Sequence, residues 1–159
     1  MSRRVVAVDL GTRRIGVAVT DGLGLTAQPL ATLARHGGER DLRAIGAVVR
    51  TYDADRVVLG LPLGPDGEVG RPARAAQAFA ERLRAFLGLP VELVDESFTT
   101  VEAEQVLLAA DLSRARRKQV VDRVAAALIL ERWMAARATG DPAVHAVPGA
   151  GPAGSRGPD

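Results

Sequence analysis

The apolar pattern changes character along the chain, and that change limits the fold more than any single residue does. Val5 to Leu10 and Ile15 to Thr20 are β-type runs separated by Gly11-Thr12-Arg13-Arg14, a spacing that reads as a hairpin with a short loop. An extended piece over about Ala27 to Leu33 completes an antiparallel trio. From Arg40 to Tyr52 the apolar positions Leu42, Ile45, Val48 and Val49 follow helical spacing. Val57-Val58-Leu59-Gly60 is then a wholly apolar run of the kind found in a central parallel strand, followed by the Gly/Pro-rich loop Leu61 to Arg71. A helix over about Pro72 to Leu87 leads into a strand over Val91 to Val94. Two more helices follow: one opened by the capping-box pattern Thr99-Thr100-Val101-Glu102, the other over about Arg116 to Arg137. Strands alternating with helices after an antiparallel start predict an α/β domain. Its sheet is a mixed five-stranded one, three antiparallel strands and then parallel strands, flanked by helices.

The length of 159 residues and a hydrophobic content of 47% suit one domain rather than two. From Gly140 to Asp159 nine of twenty residues are Gly or Pro, so the chain divides into a folded domain, 1–138, and a disordered tail, 139–159. Cysteine is absent, which excludes disulfides, thiolate metal ligation and cysteine nucleophiles. The apolar run behind the basic start ends at Asp9, far short of a signal-peptide core, and the reading is a cytoplasmic protein with no membrane contact. A net charge of +2 gives little whole-molecule attraction to nucleic acid, so any such binding rests on local basic patches.

Three acids sit inside or at the end of apolar runs. Asp9 ends Val5-Val6-Ala7-Val8, Asp95-Glu96 ends the strand that begins at Val91, and Asp122 is flanked by Val120-Val121 and Val124-Ala125-Ala126. An unpaired buried carboxylate costs several kcal/mol, so each wants a partner. A shared Mg²⁺ or Mn²⁺ would serve, because hard divalent ions select carboxylate oxygens and water. Each acid also has a plainer use. Asp9 can bond turn amides, Asp95-Glu96 can be a solvated pair before a helix, and Lys118, four residues before Asp122, can form a surface salt bridge. It is the combination that favours a metal site. Lys118 is the one lysine in a chain whose other basic residues are all arginine. With Arg114, Arg116 and Arg117 it forms a basic helix start that opposes the helix dipole and suits phosphate better than helix stability.

These residues resemble the YqgF/RuvX family, relatives of the RuvC Holliday junction resolvase with an RNase H-like fold. The resemblance covers about Val5 to Ala136. It is carried by Asp9-Leu10-Gly11-Thr12-Arg13-Arg14-Ile15-Gly16-Val17-Ala18, by Gly60-Leu61-Pro62-Leu63 with Asp66-Gly67, by Asp95-Glu96 with Thr99-Thr100-Val101-Glu102-Ala103, and by Lys118 with Val121-Asp122 and Ala125-Ala126. It implies that Asp9, Glu96 and Asp122 are the catalytic, metal-binding acids, with Mg²⁺ or Mn²⁺ as cofactor. Lys118, Arg13, Arg14, Arg117, Thr99 and Thr100 are the candidate contacts to nucleic-acid phosphates. Ser97 stands where the family pattern has arginine and Gly64 where it has asparagine; the first bears on substrate preference more than on the metal site.

The function so implied is a metal-dependent nuclease that processes the 5′ end of pre-16S rRNA. One alternative is a Holliday junction resolvase or repair nuclease on branched or single-stranded DNA, for which two active sites and hence a homodimer are expected. Another is a catalytically weak RNA-binding factor in ribosome assembly. An actin-like ATPase or sugar kinase shares the Asp9 turn but needs two lobes around a nucleotide, which one domain of this length does not supply.

Overall fold

The computed structural model describes residues 4–96, 114–140 and 144–147. In chain order these form β1 (Arg4–Leu10), β2 (Arg14–Thr20), β3 (Ala27–Ala34), α1 (Glu39–Thr51), β4 (Ala54–Leu61), α2 (Arg71–Leu87), β5 (Val91–Asp95), α3 (Arg114–Thr139) and β6 (Val144–Ala146). The strands make a six-stranded sheet in the order β3-β2-β1-β4-β5-β6. The pairs β1–β2 and β2–β3 are antiparallel, β1–β4 and β4–β5 are parallel, and β5–β6 is antiparallel. All five expected strands are present with the expected sense. The capping-box helix expected from Thr99 lies outside the described residues.

The sixth strand falls in the stretch expected to be a tail. Val144, His145 and Ala146 pair with Val94, Leu93 and Glu92, and Val147 buries its side chain in the core while its N–H donates to the Val91 carbonyl at 3.0 Å. A Gly/Pro count over twenty residues averages away a short Val-His-Ala-Val run. That run covers what would otherwise be an open edge of β5.

The central strands are buried on both faces, which is why Val5 to Val8 and Val57 to Leu59 carry no polar alternation. On one face Val6, Val8, Val17, Val57, Leu59 and Leu93 pack against Leu42, Ile45 and Val49 of α1 and against Ala76, Phe79, Ala80 and Leu83 of α2. α2 starts with Pro72 in its first turn and stops at Gly88, whose φ of 67° is the left-handed conformation that glycine adopts without strain. The other face carries Val5, Ala7, Ala18, Val58 and Val94 and takes Ala126, Ala127, Ile129, Leu130 and Trp133 of α3. Among the described residues no helix is long and apolar enough to cross a membrane.

Small residues on this second face let α3 come down onto the sheet. A Cβ added at Gly16 of β2 would collide with the backbone carbonyl of Asp122 and lie 2.9 Å from the Arg123 nitrogen. Helix backbone therefore rests on strand backbone there, with no side chain between. Gly16→Ala is expected to force α3 outward and cost about 1–3 kcal/mol, as overpacking does, lowering Tm by about 2–4 °C per kcal/mol. Gly22→Ala, where the added carbon would lie 3.6 Å from an Arg4 nitrogen, should change stability by no more than about 0.5 kcal/mol. Thermal unfolding of both variants checks this, and equal effects would show that the helix does not bear on Gly16.

Candidate active site

Asp9 comes next to last in β1, where Val5, Ala7 and therefore Asp9 point towards α3. In the sheet it faces Gly16 of β2, and on its other side, one residue past the Val8–Leu59 pair, it comes level with Gly60 of β4. A glycine thus flanks Asp9 on each neighbouring strand. The two openings are used differently. Gly16 admits the backbone of α3 at Asp122, and Gly60 admits the carboxyl group of Glu96, into which a Cβ at position 60 would run while also lying 2.7 Å from Ile129 Cδ1.

That second opening decides how the pair meets. Glu96 follows β5, which is not a neighbour of β1; β4 lies between them. Two strand spacings, about 10 Å, would separate the acids were there a side chain at Gly60. Instead the Glu96 N–H is anchored to the Leu61 carbonyl at 3.1 Å and its side chain crosses over Gly60 to share a hydrogen bond with Asp9. Burial is the largest influence on both groups. It pushes Asp9 from 3.8 up to about 6, against the lowering effect of the Glu96 bond and with a further rise from the charge of Asp122. Glu96 is pushed from 4.5 up to about 9, first by burial and then by the charge and hydrogen bond of Asp9, with Asp95 adding to the rise. At neutral pH the metal-free pair accordingly holds one proton. The two carboxyls share it in their hydrogen bond.

Asp122 sits on α3 above Gly16 and is half-buried. Burial raises its pKa and the charge of Arg14 lowers it. Arg14, two residues before Gly16 on β2, is thus the described cation beside Asp122, whereas the helical spacing had pointed to Lys118. Lys118 and Arg117 fall on the first turns of α3, but their side chains lie outside the described residues, as do Thr99, Thr100 and Ser97. Arg13 is exposed at the β1–β2 turn. The structure therefore brings Asp9 and Glu96 into contact and sets Asp122 and Arg14 close by. Among the described residues no three acids or histidines already stand close enough to cage a metal ion.

The donor set nevertheless fits a hard divalent cation. It is all carboxylate oxygen, and its innermost pair is buried in hydrogen-bond contact. A cavity of about 390 Å³ lined by Val5, Thr20, Gly24, Asp55, Arg56, Trp133, Met134 and Arg137 opens near the start of β1, at the other end of the strand from Asp9, and none of the three acids lines it. Gly16 and Gly60 are the site residues that sequence reasoning missed. Their signal was present, as a glycine inside or ending a strand marks close approach of something else.

The shared proton makes stability depend on pH. Between Glu96's ordinary value of 4.5 and its folded value of about 9 the native chain keeps a proton that the unfolded chain has released. Stability of the metal-free protein therefore falls as pH rises through that window. Glu96→Gln, which retains a donor to Asp9 but cannot ionise, should flatten the profile and at pH 8–9 exceed the wild type by at least about 1 kcal/mol, since one pKa unit is worth about 1.4 kcal/mol. Denaturant unfolding at pH 5, 7 and 9 with chelator present measures this; a flat wild-type profile would mean that the two carboxyls do not share a buried proton.

Residues 3–136 match the family model described as RuvX, Holliday junction resolvase. A Myxococcus xanthus protein named putative pre-16S rRNA nuclease is 49% identical over 142 residues, covering 89% of this chain and 94% of the relative. A Moorella thermoacetica protein of the same name is 49% identical over 131 residues, covering 82% and 94%. Among solved structures, Thermus thermophilus RuvC in complex with a Holliday junction substrate superimposes with a TM-score of 0.51 at 14% identity, over 91% of this chain and 99% of that one, a likeness of fold alone. The chain belongs to the RuvX family, on an RNase H-like α/β fold.

Proposed function

We propose that the protein is a divalent-metal-dependent nuclease whose physiological reaction is 5′-end processing of pre-16S rRNA. Membership of the RuvX family makes the chain a nuclease, a hydrolase of phosphodiester bonds. The observation that carries the metal-site reading is the Asp9–Glu96 pair, two carboxyls buried in contact beside a third acid. A pair so placed is costly without a counter-charge, and strongly perturbed acids of this kind cluster at functional sites.

In this reading Asp9, Glu96 and Asp122 hold Mg²⁺ or Mn²⁺. When bound, the cation supplies charge neutralisation at the scissile phosphate and lowers the pKa of an attacking water. The chain's own residues prepare the rest. Glu96 must give up its shared proton before both carboxyls can act as anionic ligands, so cation affinity rises with pH. Arg14 offsets the negative charge at Asp122. Arg13 and Arg14 at the β1–β2 turn and Arg117 and Lys118 at the start of α3 contact substrate phosphates, as do Thr99 and Thr100. The names of the relatives support rRNA as substrate. The family description supports a second reading, cleavage of branched DNA by a homodimer with two sites.

Cleavage by purified protein with Mn²⁺ or Mg²⁺ tests this on a matched set: a pre-16S 5′ leader, single-stranded RNA and DNA, and a four-way DNA junction. The leader should be cut preferentially, and Asp9→Asn should reduce the rate by at least about 100-fold, the loss expected when charge stabilisation at the reacting centre is removed. Normal turnover by Asp9→Asn would refute the site. Preference for the junction, together with a dimer in solution, would replace rRNA processing by resolution.

A further inference from the structure

The turn between β1 and β2 is held from behind by contacts in which the three acids take no part. At the end of β3 the Arg35 guanidinium donates to the Gly11 carbonyl at 2.6 Å, and the Arg35 backbone N–H donates to the Arg13 carbonyl at 3.0 Å. Within the turn the Gly11 N–H donates to the Arg14 carbonyl at 2.9 Å. A Cβ at Gly11 would lie 2.7 Å from that same oxygen, so the turn closes tightly only with glycine there. Arg35 therefore occupies the carbonyls on both sides of Thr12.

Arg35 is itself backed by Asp41. The Asp41 carboxylate is 2% exposed, lies 4.0 Å from Arg35 Nε, and accepts the N–H groups of His36 at 2.9 Å and Gly37 at 2.8 Å. Asp41 stands in the first turn of α1, whose N-cap Gly38 offers no side-chain cap, and it reaches back in the manner of the second half of a capping box. A rigid helix start, a buried carboxylate and a guanidinium thus run in series to a surface turn. A four-residue hairpin loop closes without such a brace. The turn so braced carries two basic side chains, Arg13 at its exposed tip and Arg14 beside Asp122.

We propose that Arg35 is a positioning residue for substrate binding: by holding the carbonyls of Gly11 and Arg13 it aims Arg13 and Arg14 at the phosphates of the nucleic acid. This rests on the reading of those two arginines as phosphate contacts. Asp9 itself is held by its pairing with Gly16 of β2, next to the Val8–Leu59 pair with β4, and takes no contact from the brace.

The test uses the full chain with Arg35→Met, which keeps the aliphatic stem, Arg35→Lys, Arg13→Ala and the Arg35→Met/Arg13→Ala double variant. Two readouts are taken, Mn²⁺-dependent cleavage of the 5′ leader and equilibrium binding of the same labelled RNA and of a four-way DNA junction. Arg35→Met should raise KM and Kd about tenfold with kcat and the Mn²⁺ activation constant within about twofold, the size of effect of one charge-assisted hydrogen bond. Arg35→Lys should recover part of the loss. In the Arg13→Ala background Arg35→Met should add less than about twofold, because coupled residues are not additive. Wild-type KM and Kd in Arg35→Met, even with a lowered Tm, would overturn the proposal and leave Arg35 a purely structural residue. Full additivity would overturn it too, by making Arg35 a direct phosphate contact, as would a loss confined to kcat. If the wild type binds but does not cleave, the nuclease reading fails while the binding arm still decides the role of Arg35. No binding of either nucleic acid by the wild type would end the proposal.

Discussion

The contact between the carboxyls of Asp9 and Glu96 is the constraint to which the surrounding structure conforms. Two acids buried against one another are costly: burial raises the pKa of both, and the charge of Asp9 raises that of Glu96 further. The fold tolerates the pair by placing one proton between them at neutral pH, and it can do so only because nothing occupies the space over Gly60. Any side chain there would separate Glu96 from Asp9 and turn a shared proton into two independent titrations. The cost is thus offset locally, in one hydrogen bond.

The two faces of the sheet follow from this. The face towards α1 and α2 is filled by Val, Ile and Leu and behaves as an ordinary aliphatic core. The face towards α3 carries Ala7, Gly16, Ala18 and Gly60 around Asp9, so that helix backbone and acid side chains replace the bulk that branched residues would supply.

Much of this was legible beforehand. The five strands and their senses could be read because Val5–Val8 and Val57–Leu59 are apolar throughout, which only a strand covered on both faces needs. The acids stood out because their flanking residues are buried. What could not be read was pairing across the sheet. That Glu96 crosses an intervening strand, that Gly16 lies beneath the carbonyl of Asp122, and that Arg14 is a cation beside Asp122 all depend on which strands are neighbours. Spacing along a helix brought Lys118 to Asp122, but it carries no information about β2. Arg35 and Asp41 were invisible for a related reason: a charged residue in a loop acquires meaning only from the backbone atom it meets 24 positions away. β6 escaped because three residues are too few to raise a composition average.

α3 is the element whose placement matters most for the third acid, and it is secured at two separated points. Near Asp122 its backbone rests on Gly16; further along, Trp133 donates from Nε1 to Glu92 Oε2 on β5 at 3.0 Å. The same Glu92 oxygen accepts from Arg56 Nη1 at 2.6 Å, and the guanidiniums of Arg56 and Arg137 lie 5.9 and 5.0 Å from the Trp133 ring centre. At 1.5 Å per residue the two attachments are about 16 Å apart, long enough to fix the direction of the helix as well as its depth. A single seat at Gly16 would set how close Asp122 comes to the sheet but leave the helix free to pivot. With the tryptophan anchor added, Asp122 is held in a defined relation to strands β1 and β2, while the proton-linked pair beside it stays the part of the site free to change its charge.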